Sequence, residues 1–216
     1  RRAGQMTSAM NLDALKLAAL DNTWGSIFPE LLLACVALAL LVAEVVLPKK
    51  LHYLIPTIAL AGLAGVLVGL LSRLADLGDL TSLLTTTATD RYSFNGLLHH
   101  TVGGDILRLF FVLAALLVCV LARVSLAKQS VPRVEFYHLV LIITGAMMLL
   151  AQSAHFVMLF VALETVTIGF YILVSYVRTS GASLEAGLKY LVMGALSSGM
   201  LLFGIVLLYG VAGNTA

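Results

Sequence analysis

Apolar residues along this chain fall into six long runs separated by short polar breaks. The runs cover residues 29–47, 54–72, 105–126, 136–151, 155–177 and 184–208. None alternates with period two, and each approaches the ~20 residues that a helix needs to cross a bilayer. The fourth is the shortest, at roughly 16 residues. Pro29 suits the first turn of a helix, and Pro48, Lys49 and Lys50 close that first run. The second is rich in glycine (Gly62, Gly65, Gly69), which lets a neighbouring helix approach closely. The pattern predicts an all-α fold: a polytopic transmembrane helix bundle with about six spans.

Around these runs lie three polar stretches. Residues 1–28 read as an extramembrane segment, with Met6 and Met10 as plausible natural starts. A short interfacial helix is expected at Asn11–Leu20, its apolar side made by Leu12, Leu15 and Ala19. Its apolar part is too short for a signal peptide. Ser72–Gly103 reads as a surface excursion between spans, and 210–216 as a tail of an incomplete chain.

Composition agrees with the pattern. The chain is 61% hydrophobic and 11% charged, against about 25% charged in an ordinary soluble domain. A net charge of +2 is too small to suggest nucleic-acid binding, and the apolar composition makes lipids an expected partner. Basic residues cluster after the first span (Lys49, Lys50), around the third-to-fourth turn (Arg123, Lys128, Arg133) and after the fifth (Arg178). The fourth-to-fifth turn and the tail carry none. The positive-inside rule makes the basic connections cytoplasmic and both ends of the chain external. Arg1, Arg2, Lys16, Arg73 and Arg91 run against that orientation.

Several residues invite a chemical reading that a simpler one outweighs. Cys35 and Cys119 lie in apolar runs without a ligand partner at useful spacing and read as buried, inert thiols. His99 and His100 lack a third metal ligand and read as a solvated loop pair. Arg108, in the first turns of the third span, either snorkels to the interface or turns inward.

Glu164 and Lys189 stand apart. Each places a charge within an apolar run, at roughly 2.5–3.5 kcal/mol on insertion scales. At 100° per residue Glu164, Thr167, Tyr171 and Ser175 share a sector about 80° wide, a polar stripe that must face protein or water. Alternatively, a protonated Glu164 is a packing group that makes one interhelical hydrogen bond. Lys189 lies nearer the cytoplasmic side, roughly 12 Å from Glu164 in depth by helix rise, so direct pairing is not expected. The small residues Gly187, Gly194 and Ser198 lie nearly opposite Lys189 and suit tight helix packing.

The strings EFYHLVLIITGAMMLLAQSAHFVMLFVALETVTIGFYILVSY and EAGLKYLVMGALSSGMLLFGIVLLYG resemble the antiporter-like, proton-pumping subunits of respiratory complex I. Pro29-Glu30, Glu44, and Asp105 with Arg108 add to the likeness, which spans Pro29–Gly213 and is weak in Ser72–Gly103. The ending LKYLVMGALSSG…LLYG favours subunit N over subunits L and M. The resemblance implies the first part of an inverted-repeat fold. It also implies a role in coupling quinone reduction to proton translocation in a bacterial inner membrane. By it, Glu164 matches a fifth-helix glutamate that modulates a seventh-helix lysine. Lys189 matches a sixth-helix lysine on or near the proton-uptake path. NADH, FMN, Fe–S clusters and quinone are expected in partner subunits, with no cofactor in this one. Its partners are then other membrane subunits, antiporter-like and small. The rivals are a stand-alone cation/proton antiporter and a purely structural membrane subunit.

Overall fold

A computed structural model describes residues 24–46, 55–76, 91–94, 96–126 and 133–214. Six of its helices are long and apolar enough to cross a membrane. They are α1 (Phe28–Val46), α2 (Ile55–Asp76), α3 (Val102–Ser125), α4 (Arg133–Ala151), α5 (Phe156–Val174) and α6 (Gly181–Ala212). A 3₁₀ turn, Trp24–Ile27, leads into α1.

The six runs are therefore helices, with shifted ends. The third begins earlier than expected because Thr101 caps it, accepting a hydrogen bond from the Gly104 amide at 3.0 Å. The sixth begins at Gly181, where Ser180 caps it, and continues through the expected tail to Ala212. Gly213 stops it in the left-handed conformation that glycine adopts without strain. The interfacial helix expected at Asn11–Leu20 lies outside the described residues, as do Lys49, Lys50 and Lys128.

The excursion between the second and third spans is not all irregular. Strands β1 (Arg91–Ser93) and β2 (Leu98–His100) pair antiparallel, with Tyr92 opposite His99. Gly96 supplies a positive φ of 86° in the turn between them. This hairpin lies on the α4–α5 turn: the His99 amide donates to the Gln152 carbonyl at 2.8 Å, and the Ala154 amide to the Leu97 carbonyl at 3.0 Å. Trp24 meets Phe94 edge-on, 5.5 Å between ring centres, tying the 3₁₀ turn to the same structure.

Packing centres on α4, which touches α1, α2, α3 and α5. The main apolar cluster joins Leu33, Leu40, Leu63, Leu70, Val112, Cys119, Tyr137 and Leu141 from α1 to α4. His138 Nδ1 donates to the Ala37 carbonyl at 2.8 Å, a polar link between α4 and α1 within the apolar bundle. Among the described residues helix α6 packs mainly on α5, and most of its apolar side chains are exposed.

Close approach is narrower than the glycines suggested. A Cβ on Gly62 would come 2.8 Å from Val36 of α1, whereas Gly65 and Gly69 face open space. One cysteine assignment also fails. Cys119 is buried, but Cys35 is exposed on the part of α1 that α2 and α4 leave uncovered.

Candidate functional site

Three buried side-chain atoms among the described residues have no hydrogen-bond partner: Glu164 Oε1, the Tyr171 hydroxyl and His100 Nε2. Two belong to the polar stripe of α5. The third belongs to a separate cluster at the other end of the bundle.

Helix α5 presents the far half of its stripe to α6. A Cβ on Gly187 would sit 2.5 Å from the Ser175 Cβ, and one on Gly194 would sit 2.1 Å from the Tyr171 hydroxyl. These contacts fix an antiparallel register, with Ser175 beside Gly187. Eleven residues back along α5, Glu164 is then level with Ser198 of α6. Lys189 lies nine residues from that level, roughly 14 Å at 1.5 Å per residue.

Glu164 makes no hydrogen bond to another helix among the described residues. Its Oε2 is 3.5 Å from Thr167 Oγ1, at the outer limit, and that hydroxyl also donates to the Glu164 carbonyl at 3.0 Å. A packing carboxyl would need an interhelical partner, and the described residues offer none. Ser175 is occupied by its own helix, donating to the Tyr171 carbonyl at 2.9 Å.

Lys189 points away from α5. Its side chain is 74% exposed and bonds Glu185 one turn earlier at 2.6 Å. The two ionisable groups singled out in sequence are thus not brought together. Nearby, at the connection after α5, Arg178 pairs with Glu135 at 2.9 Å. Burial, and next Glu135, push the Tyr176 hydroxyl up to about 12, so it stays neutral across the physiological range.

The second cluster was only half visible in the sequence. Arg108 neither snorkels nor meets water, having no exposed surface at all. Its guanidinium donates to both carboxylate oxygens of Glu30 at 2.5 Å, to Asp105 Oδ1 at 2.7 Å and to the Ser26 carbonyl at 3.1 Å. Gln152, itself buried, completes the ring: with its amide oxygen toward Arg108 it accepts from Nη1 at 2.7 Å and donates to His100 Nδ1 at 2.9 Å. Gly104 makes room, since a Cβ there would press on Thr101 Oγ1 at 3.2 Å and Gln152 Cγ at 3.4 Å. Arg73, at the end of α2, reaches the Gly25 carbonyl close by.

His99 and His100 are half-buried in the hairpin rather than free in a solvated loop. His99 stacks on Tyr92, 4.4 Å between ring centres, and His100 turns inward toward Gln152. Burial and the Arg108 charge hold the His100 imidazole below its ordinary range, so it is neutral beside the ion pair.

The starts of α1 and α3 and the end of α4 thus meet in one cluster. The Arg178–Glu135 pair marks the opposite end of the bundle. Among the described residues, Arg123 near the end of α3 and Arg178 after α5 lie at that opposite end.

Comparison with known proteins places this architecture. Residues 153–216 match the family described as NADH:quinone oxidoreductase/Mrp antiporter, TM. NADH-quinone oxidoreductase subunit N 1 of Opitutus terrae is 58% identical over 215 residues, 96% of this chain and 39% of that protein. The chain is similar to a stretch of subunit N. NAD(P)H-quinone oxidoreductase subunit 2 of Gloeobacter violaceus is 33% identical over 95% of this chain and 37% of its own length. Among solved structures, respiratory complex I from Thermus thermophilus superposes with TM-score 0.66 and 30% identity, over 88% of this chain and 38% of that one. An archaeal membrane-bound sulfane sulfur reductase shares the fold at TM-score 0.65 and 20% identity, over 93% of this chain and 38% of that one. The chain thus spans under two-fifths of the length of these relatives.

Proposed function

We propose that the chain is the first part of a proton-translocating membrane subunit of NADH-quinone oxidoreductase, in a bacterial inner membrane. Quinone is reduced elsewhere in the complex, and this subunit moves protons in response. The observation that carries the reading is Glu164. It is a carboxylate inside an apolar span, with one buried oxygen unpartnered among the described residues. A group kept at such cost is kept for its charge. FMN, Fe–S clusters and quinone belong to partner subunits in this reading. The chain's two cysteines, Cys35 and Cys119, lie on different helices and fall short of the four ligands that an Fe–S cluster takes.

Lys189 serves the cytoplasmic end of the route, where an exposed ammonium can exchange protons with water. Its pairing with Glu185 is exposed and worth little, so the lysine can leave it at small cost. Lys189→Ala is therefore expected to lower proton pumping by membrane vesicles while leaving the amount of assembled complex unchanged. Unaltered pumping by an assembled complex makes Lys189 a snorkelling residue. The family description also covers stand-alone antiporters, and co-purification of flavin and Fe–S subunits with this chain separates the two readings.

Orientation follows from the basic end. The α4–α5 turn should face the periplasm and both ends of the described bundle likewise. A cysteine at Ser153 should react with an impermeant maleimide from outside intact cells. Labelling only after permeabilisation reverses the orientation and moves Lys189 to the other side.

A further inference from the structure

Between Glu164 and the cytoplasmic end lies Tyr171, whose hydroxyl is buried and unpartnered among the described residues. Its place is set by both helices. In the register that puts Ser175 beside Gly187, residue 171 is level with Leu191, yet its hydroxyl reaches Gly194. The side chain therefore leans three α6 residues, roughly 4.5 Å, toward Glu164. That is the direction in which helical side chains tilt, toward their own N-terminus. From the hydroxyl to the level of Glu164 remain four α6 residues, roughly 6 Å, a length of one or two waters once the packed site opens to them, with the Thr167 hydroxyl on the same stripe.

On its other side, the Tyr171 ring meets Tyr190 edge-on at 5.5 Å, and Tyr190 adjoins Lys189 in sequence. Gly194 is what admits the hydroxyl, because any Cβ there would collide with it at 2.1 Å. A phenylalanine would fill the same space without a hydroxyl. A buried phenol with no partner costs about 1–3 kcal/mol, so its retention calls for a use.

We propose that Tyr171 is a proton-relay residue between the Lys189 end of α6 and Glu164, and that Gly194 is the positioning residue that sets its hydroxyl there. The step balances without an oxidant or a co-reactant. The hydroxyl is closed to water in this structure, so the step follows entry of water on both its sides: its oxygen accepts a proton from a water on the Lys189 side as its own proton passes to a water on the Glu164 side. Rotation about the C–O bond then restores the starting state. This inference rests on the proton-translocating reading of the chain.

The test is Tyr171→Phe in the full complex, with three readouts: assembly on native gels, vesicle acidification, and hydrogen–deuterium exchange of the Glu164 carboxyl by infrared difference spectroscopy. Normal assembly is expected, with pumping down about tenfold, less than the roughly hundredfold of a positioned acid–base group because water still bridges part of the gap. Carboxyl exchange should slow with it. Parent-like pumping and parent-like exchange overturn the relay. Should Tyr171→Phe fail to assemble, Gly194→Ala, which displaces the hydroxyl, is read the same way. The two failures are distinguishable. If Glu164→Gln pumps like the parent, the functional reading itself falls; if Glu164→Gln blocks pumping and Tyr171→Phe does not, only the relay falls.

Discussion

Arg108→Leu is expected to abolish accumulation of the subunit rather than merely slow it. The guanidinium is fully buried and holds two carboxylates, Glu30 and Asp105, together with the Gln152 amide. Removing it leaves buried negative charge uncompensated, at about 3–5 kcal/mol for breaking such a pair from one side. That is a large share of a typical folding free energy of about 5–15 kcal/mol. The double variant Arg108→Leu with Glu30→Leu removes both sides and should recover much of the lost protein, since apolar replacements of a buried pair are often near neutral. Quantitative immunoblots of membranes measure both. Accumulation of Arg108→Leu at the parent level would make the ion pair an ornament of the fold.

Glu164→Gln is expected to leave assembly intact and to cut quinone-coupled proton transport by about tenfold or more. A charged neighbour shifts a pKa by about 1–3 units, and each unit is a tenfold change in proton affinity. Lys189 is too far along α6 to be that neighbour, so in this reading the cation comes from another helix. Glutamine keeps the shape and loses the charge. Aspartate keeps the charge and retracts it by one methylene, so Glu164→Asp should retain appreciable activity. The ranking parent, Asp, Gln is the signature of electrostatic tuning; a packing role predicts Gln closer to the parent than Asp.

How much of this was legible follows from the range of each interaction. Apolar runs report spans directly, because lipid demands them over ~20 residues at a stretch. Their ends were less clear. Ser180 and Thr101 cap helices whose first turns are too polar or glycine-rich to read as membrane. The hairpin escaped notice although Asn95-Gly96 between two short runs is a turn signal. Reading Ser72–Gly103 as one loop hid it.

The Arg108 cluster needed contact between residues 78 positions apart in the chain. A clue was present even so. Glu30, Asp105 and Arg108 lie in the first turns of the first and third spans, which alternation brings to the same membrane side. The stripe on α5 was visible from periodicity alone. What periodicity could not supply was the register against α6, which sets the Tyr171 hydroxyl over Gly194 and keeps Lys189 away from Glu164.

The most direct measurement is vesicle acidification driven by NADH, normalised to assembled complex, for Glu164→Gln beside the parent. Loss of most of the proton signal from a normally assembled complex is the result expected if this carboxylate tunes proton transfer. Acidification equal to the parent, at equal assembly, would contradict it and leave Glu164 as a packing group in a membrane-embedded scaffold.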